Sequence, residues 1–346
     1  MSQNRLFFNV LSGLMVTCAH LSASLLLTDE NSTPPTSPTE TLAPPQKPAP
    51  VAMPWLTGPL ITPSAHVVPV GHMNVEPYFN VNVGTGSYDM HWKGHNAKHN
   101  FYNLQGQVPI QFGIFNRWDF QFTPQFSWNH ISGASHWVLN DLPFIFDYQV
   151  VNDKFGEWWP AIKLAFRATI PWGKYQKLDP DDKGTDIGGG GTWNPGVVLV
   201  LSRLFHYTGV HFLSTRLAIG YTVPNSVHVK GFNAYGGGHH THGTVYPGPI
   251  FNVFLGLEYT LTQKWALALD AVYFHNNHTR FSGHKGTTDG MPNSVGGPSS
   301  ESISLAPAIE YNWSAYCGVI AGVWFSVAGR NSAEFINGVI AINVYK

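Results

Sequence analysis

From about residue 70 onward, apolar and polar side chains alternate at every second position for roughly ten to thirteen residues at a time. The clearest stretch is 117–129. Its odd positions, Arg117, Asp119, Gln121, Thr123, Gln125, Ser127 and Asn129, are polar, and its even positions, Trp118, Phe120, Phe122, Pro124, Phe126 and Trp128, are apolar. Period two is the signature of a strand whose two faces meet different solvents. Strands of soluble domains average about five or six residues, whereas crossing a bilayer at a tilt takes about nine to eleven. Length therefore selects a membrane strand, with Trp at each end of the apolar row as interfacial anchors.

The pattern recurs at 73–83, 101–112, 142–150, 162–172, 193–201, 213–221, 251–259, 265–273, 303–311, 319–325 and 335–345, which predicts about twelve strands in all. Composition agrees. Only 11% of the 346 residues are charged, against about 25% in a typical soluble domain, while 43% are hydrophobic and 14% aromatic. A net charge of -1 gives no electrostatic basis for binding nucleic acid. No spanning helix is available either, since the longest clean apolar run beyond the N-terminal region is Val197 to Leu201. A closed barrel is the other architecture that pairs every backbone group inside hydrocarbon. The expected fold is all-β, a transmembrane antiparallel up-and-down β-barrel with outer-membrane lipid as its solvent.

Arg5 precedes an interrupted apolar stretch, and small residues stand at Ser22, Ala23 and Ser24, so residues 1–24 read as a cleavable signal peptide. Residues 25–54, crowded with Pro, Thr and Ser, read as a periplasmic linker, and residues 55–346 as the barrel. With Cys18 leaving with the signal, Cys317 has no disulfide partner. Connections alternate in length. Short turns are expected at Gly113–Asn116, Leu204–Thr208, Leu261–Gln263 and Asn312–Ala315, and long outer loops at 84–100, 173–191, 223–245 and 276–300, the stretch Asn152–Trp159 being long for its inner side. An even strand number leaves both termini in the periplasm.

If the apolar rows face lipid, the opposite rows line the lumen: Glu76, Asn103, Gln105, Gln107, Gln111, Arg117, Asp119, Asp147, Lys163, Arg167, Arg216, Glu258, Asp270 and Glu310. Both signs are present, which argues against a strongly ion-selective pore. Asp147 and Arg167 are expected to meet at mid-height and pair across neighbouring strands. Histidines crowd the loops, with His91, His95 and His99 spaced by four and His239, His240 and His242 behind three glycines. Imidazole binds transition metals, but no carboxylate or Cys partner stands at a fixed spacing, so polar loop filling is the preferred reading and neither metal nor cofactor is assigned. Gly188 to Gly191 lacks the Lys and Ser/Thr of a phosphate loop. The absence of GxSxG and HExxH motifs argues against an enzyme, leaving only His206 and His211 as wall candidates.

Several blocks occur together: Trp193-Asn194-Pro195-Gly196 leading into Leu201-Ser202-Arg203-Leu204, Ala218-Ile219-Gly220-Tyr221-Thr222, 252–262, and Leu305-Ala306-Pro307-Ala308-Ile309-Glu310-Tyr311, with Asp147-Tyr148 and Ile170-Pro171-Trp172-Gly173 upstream. As an ordered set over the C-terminal half, they resemble the outer-membrane transporter family of the meta-pathway of phenol degradation. The resemblance implies an outer-membrane barrel of a Gram-negative bacterium, inserted by the barrel-assembly machinery, that passes small hydrophobic or aromatic solutes. The chain departs from the usual terminal aromatic residue, since Tyr345 is followed by Lys346. The expected function is a passive uptake channel for small solutes. The alternative is a non-conducting structural barrel or adhesin acting through its His- and Gly-rich outer loops.

Overall fold

The computed structural model describes residues 53–154 and 156–346. The expected signal peptide and all but the last two residues of the expected linker lie outside the described residues. Twelve antiparallel strands form one closed wall: β1 (73–88), β2 (94–115), β3 (118–131), β4 (134–151), β5 (Ala161–Ile170), β6 (Gly196–Thr208), β7 (His211–Thr222), β8 (Ile250–Thr260), β9 (Trp265–Asn276), β10 (Ser300–Ser314), β11 (Cys317–Arg330) and β12 (Ser332–Tyr345). Each strand pairs with the next, and β12 closes the ring on β1, from Asn74↔Tyr345 to Tyr88↔Ser332. Closure removes sheet edges, which lipid cannot solvate.

The outward rows are the apolar ones. Phe79, Phe126, Phe146, Leu255, Leu267, Leu269, Ile340 and Ile342 are all exposed, each between 40% and 49%. Apolar patches of such extent on a water-soluble monomer mark an interaction surface or an aggregation hazard; here they form the band that meets acyl chains. Paired aromatics ring the end that carries the chain termini, with Trp118 and Tyr148 at 4.7 Å, Trp265 and Tyr311 at 4.7 Å, and Tyr316 and Tyr345 at 6.3 Å between ring centroids. Such a girdle belongs at a bilayer interface. Arginine at position 269, in the middle of β9, is expected to cost about 2–4 kcal/mol. The urea midpoint of Leu269→Arg in lipid vesicles checks this, and an unchanged midpoint would deny that this face meets lipid.

Strands β1 to β4 are each interrupted once, β1, β2 and β3 at the prolines Pro77, Pro109 and Pro124 and β4 at Asn140-Asp141, just before Pro143. Proline has no N–H to give to a ladder, but every one of these carbonyls still accepts: from Ile342, Glu76, Val108 and Thr123 respectively, at 3.0–3.1 Å. The register is the same on either side of the interruptions between β12 and β1, β1 and β2, and β2 and β3, as when Val75↔Ile110 continues as Tyr78↔Gln107, and moves by one residue between β3 and β4, from Phe122↔Phe144 to Phe126↔Leu139.

The connections correct the expectation in several places, and the turns expected at Gly113–Asn116 and Asn312–Ala315 fall at Asn116-Arg117 and Ala315-Tyr316, with Gly113–Phe115 and Asn312–Ser314 in strand. Residues 84–100 are not a long loop, because β1 and β2 run on as a hairpin to a tip at 89–93. Leu204–Thr208 is strand, and the turn falls at Gly209-Val210. Trp193 precedes β6, which begins at Gly196. The three long outer loops at 171–195, 223–249 and 277–299 fold over one mouth, and strands Val227–Lys230, His242–Tyr246 and Arg280–His284 form a small sheet of their own there.

Candidate functional site: a lumen filled by the segment before the first strand

Alternation places Glu76, Asn103, Gln105, Gln107, Gln111, Asp119, Asp147, Lys163, Arg216, Glu258, Asp270 and Glu310 on the inner face, all of them buried. Arg167 is half-buried and reaches across β6 to β7, where Nε and Nη2 donate to Thr222 Oγ1. Arg117 is not in the lumen. It sits in the left-handed region (φ 67) at the β2–β3 turn and is exposed, because the period-two pattern was extended one residue past the strand's end. The expected Asp147–Arg167 pair does not form either. In the β4–β5 register Asp147 faces Ala165 and Arg167 faces Ile145, so it is Lys163 that reaches Asp147, with Nζ 2.8 Å from Oδ2.

What the sequence did not reveal is that the lumen is occupied by the segment 53–70, whose residues 57–65 and 68 are buried there while Met53, Pro69 and Val70 at its ends are exposed. This segment lacks regular structure until it meets β2 at Val70↔Gly113, and it is held by wall side chains. Thr57 donates its backbone N–H to Glu310 Oε2 (2.9 Å) on β10. Ile61 and Thr62 donate theirs to the Asp270 carboxylate on β9 (3.2 and 2.8 Å). Ala65 donates to Ser202 Oγ on β6 (2.9 Å), Val67 to Gln149 Oε1 on β4 (2.9 Å), and Val68 to Asp119 Oδ2 on β3 (2.6 Å). The plug thus sweeps around the inside of the termini-bearing half.

This explains an imbalance of charge. Among the described residues, the inner face of that half carries the carboxyl groups of Glu76, Asp119, Asp147, Glu258, Asp270 and Glu310 against the cations Lys163 and Arg216. Lys163 serves Asp147, and Arg216 Nη2 lies 2.8 Å from Glu258 Oε2. Three of the remaining carboxyl groups, Asp119, Asp270 and Glu310, take plug N–H groups instead, while Tyr78 donates its hydroxyl to Glu76. A buried carboxylate without such partners is costly.

Apolar packing seats the same segment. Leu60 and Ile61 join a cluster inside the barrel that includes Ile145, Val198, Val200, Phe254, Val272, Phe274 and Trp324. Each buried aliphatic contributes about 1.5–3 kcal/mol. Outside the bilayer, His66 Nε2 lies 2.8 Å from Asp153 Oδ1 in the β4–β5 turn. Burial pushes the Asp153 carboxyl up, yet the hydrogen bond and charge of His66 prevail and hold it below its ordinary value.

Wall glycines make the room. A Cβ at Gly256 would stand 2.7 Å from Pro59 Cγ and 2.8 Å from Thr62 Cβ, and one at Gly318 2.6 Å from Thr57 Oγ1. Gly256→Val is accordingly expected to dislodge the plug while the barrel stays folded. Protease cleavage within residues 53–70, measured against the unchanged gel shift between boiled and unboiled samples, checks this; cleavage no faster than wild type contradicts it.

Above the plug a cavity of ≈ 170 Å³ lies between the inner wall and the outer loops, lined among others by Ile145, Arg167, Thr222, Asn252 and Phe274 below and by Gly190 and Tyr235 above. The glycine run at 188–191 closes its rim. Asp141 accepts N–H bonds from Gly173 and Gly190 at 2.9 Å, and a Cβ at Gly189 would collide with its carboxylate.

Most of the histidines stand apart, His242 and His284 being stacked at 5.4 Å between ring centroids. His95 holds Asp89 at 3.0 Å, and this bond, with the backbone N–H of Lys93, lowers the Asp89 carboxyl to about 2. His91 and His99 are exposed on the same hairpin. His239 stands edge-on to Phe232, and His240 accepts at its carbonyl from His242 or His284. Among the described residues, no group of three or more His, Cys, Asp or Glu side chains converges as a metal site. The wall histidines are packed singly, His206 on Phe212 and His211 on Tyr259.

A closed twelve-stranded ring with an apolar exterior and a polar, plugged interior defines a transmembrane β-barrel. The solved structures similar to it are barrels of that kind. An outer membrane channel from Pseudomonas putida F1 superimposes with a TM-score of 0.63 at 11% identity, over 82% of this chain and 98% of that one. The translocator domain of an autotransporter from Neisseria meningitidis gives 0.40 at 10% identity, over 79% and 87%. At 11% identity the likeness to the Pseudomonas putida channel is one of fold. No protein-family model matches the sequence, and no curated protein is similar to it at the sequence level.

Proposed function

We propose that this chain is an outer-membrane channel of a Gram-negative bacterium through which small hydrophobic or aromatic solutes enter passively, with the plug as its closed state. The observation that carries the reading is how the plug is held. Apart from the bridge at Val70, its backbone is bonded to side chains rather than to a strand ladder. It can therefore leave without breaking the wall, each bond to Ser202 or Gln149 contributing about 0.5–1.5 kcal/mol net and each bond to the Asp119, Asp270 and Glu310 carboxylates about 1.5–3 kcal/mol. The interior supports an apolar cargo, since aromatic and aliphatic side chains, Phe254, Phe274 and Trp324 among them, occupy inward positions at mid-height.

The test is swelling of liposomes containing the purified protein in solutions of small aromatic and aliphatic solutes. Swelling by wild type supports the channel. A sealed structural barrel, whose work is done by the exposed His228, Lys230, His242 and His284 of the outer loop sheet, predicts none from wild type, whatever a variant lacking the plug lets through.

A further inference from the structure

We infer that the outer loop sheet is a docking face for phosphate groups of the lipid leaflet around the barrel, held by Lys230, Arg280 and Lys285 together with His228, His242 and His284. This goes beyond the channel reading and stands whether or not the barrel conducts. The sheet is the wall itself, carried on above the rim. Strand Val227–Lys230 follows β7, His242–Tyr246 precedes β8 and Arg280–His284 follows β9, and the ladders cross the breaks at 223–226, 247–249 and 277–279 without losing register. Thr222↔Ile250 continues as Val227↔Val245, and Ile250↔Asn276 continues as Tyr246↔Arg280. Within the second break, Asn277 donates its N–H to the Pro249 carbonyl at 3.0 Å. The pair Tyr246↔Arg280 thus lies four residues, about 13 Å of strand, beyond Ile250↔Asn276. Strands tilted by about 35–45° make that roughly 10 Å of height, within reach of the headgroup layer for a side chain of arginine's length. The lipid-facing rows directly below carry Tyr221 and Tyr273 near their upper ends, as a bilayer interface favours.

Alternation splits this extension into two faces. Val227, Val229 and Val245 are buried and pack with Val295, Tyr175, Tyr235 and Phe281, while His228, Lys230, His242, Arg280 and His284 are exposed on the other side, with Lys285 exposed at the end of the last strand. The charge of the two loops is one-sided. Residues 223–249 and 277–299 hold three Lys or Arg and six His against a single carboxylate, Asp289, in a chain whose Lys and Arg number 19 and whose Asp and Glu number 20. Among the described residues none of Lys230, Arg280 and Lys285 forms an ion pair. Cations gathered beside a bilayer with no carboxylate to meet are matched by anionic headgroups, and the arginine fork and lysine ammonium both suit phosphate. The stacked His242 and His284 point the same way. Their rings are 13° from parallel, and Nδ1 of each lies 3.1 Å from the one carbonyl of His240. Two imidazoles so placed can both carry a proton only with an anion laid against them. Position favours a lipid over a soluble polyanion, because the face continues the lipid-facing wall in register.

The test is titration calorimetry of the full-length protein in mixed micelles with a bisphosphorylated glucosamine-disaccharide lipid, the same lipid without phosphates, and inositol hexaphosphate as a soluble polyphosphate. The bisphosphorylated lipid is expected to bind saturably and at least tenfold tighter than its phosphate-free form, and to lose that advantage as salt is raised. Lys230→Gln combined with Arg280→Gln should weaken it at least tenfold without altering the gel shift of the folded barrel. The salt dependence of the wild-type protein keeps the test decisive should that variant misfold. Equal binding of the two lipids, or binding indifferent to salt or to these substitutions, overturns the inference. Inositol hexaphosphate binding as tightly as the bisphosphorylated lipid would assign the face to a soluble polyanion and overturn it too. Solute flux in the swelling assay bears on the channel alone.

Discussion

A variant lacking residues 55–68 is expected to conduct ions at least ten times better than the intact protein in planar bilayers. Those residues occupy the termini-bearing half of the lumen, where Thr57, Gly58, Pro59, Leu60, Ile61, Thr62, Pro63, Ser64 and Ala65 are all buried. Twelve strands lie between the eight that side chains alone can fill and the sixteen that leave an aqueous channel, so an unplugged ring of this size holds water. The opened pore is also expected to prefer cations, since Asp119, Asp270 and Glu310 lose the N–H groups that now satisfy them. Equal conductance of the two proteins would show that the plug does not close the path.

The second large effect concerns Lys163. Asp119 on β3 and Asp147 on β4 stand directly opposite each other, a like-charge pair that a sheet ordinarily avoids. The Lys163 ammonium, fully buried with Asp147, is what makes the arrangement tolerable. Its removal in Lys163→Met strands buried carboxylates, and breaking such a pair costs about 3–5 kcal/mol. The urea midpoint in detergent measures it. Adding Asp147→Leu should restore most of the loss, because an apolar pair of similar volume dispenses with the charge altogether. A single variant as stable as wild type would mean that the Asp119 and Asp147 carboxyl groups do not depend on this cation.

The strand positions were legible because lipid imposes a rule that each residue obeys independently. Phe120 must face out and Asp119 in, so the phase of all twelve strands can be read locally. Where both faces are apolar the rule is silent. In Val197 to Leu201, the inward Val198 and Val200 cannot be told from the outward Val197 and Leu199, and the apolar belt of the lumen went unseen for that reason. The plug was hidden differently. It has no period, its neighbours upstream are rich in Pro, Thr and Ser, and its partners are contacts between residues about 50 to 260 apart in sequence. Two signals could have betrayed it: the apolar residues Trp55, Leu56, Leu60, Ile61, Val67 and Val68 gathered just after the Pro-, Thr- and Ser-rich stretch, and glycines such as Gly256 at inward positions where a channel needs no glycine. Asp147 was paired with Arg167 because strand height was counted from loop ends that the structure places elsewhere; a shift of a few residues along β5 exchanges Arg167 for Lys163.

The central claim is that alternate residues of each strand face acyl chains and lumen. Fluorophores attached one at a time to cysteines at positions 336–343 of β12, in a Cys317→Ser background, test it most directly in vesicles of lipids brominated on their tails. Strong quenching is predicted at Ile336, Gly338, Ile340 and Ile342 and weak quenching at Asn337, Val339, Ala341 and Asn343, following the observed exposure of the strand. Quenching that is uniform along β12, or absent throughout, would contradict the account.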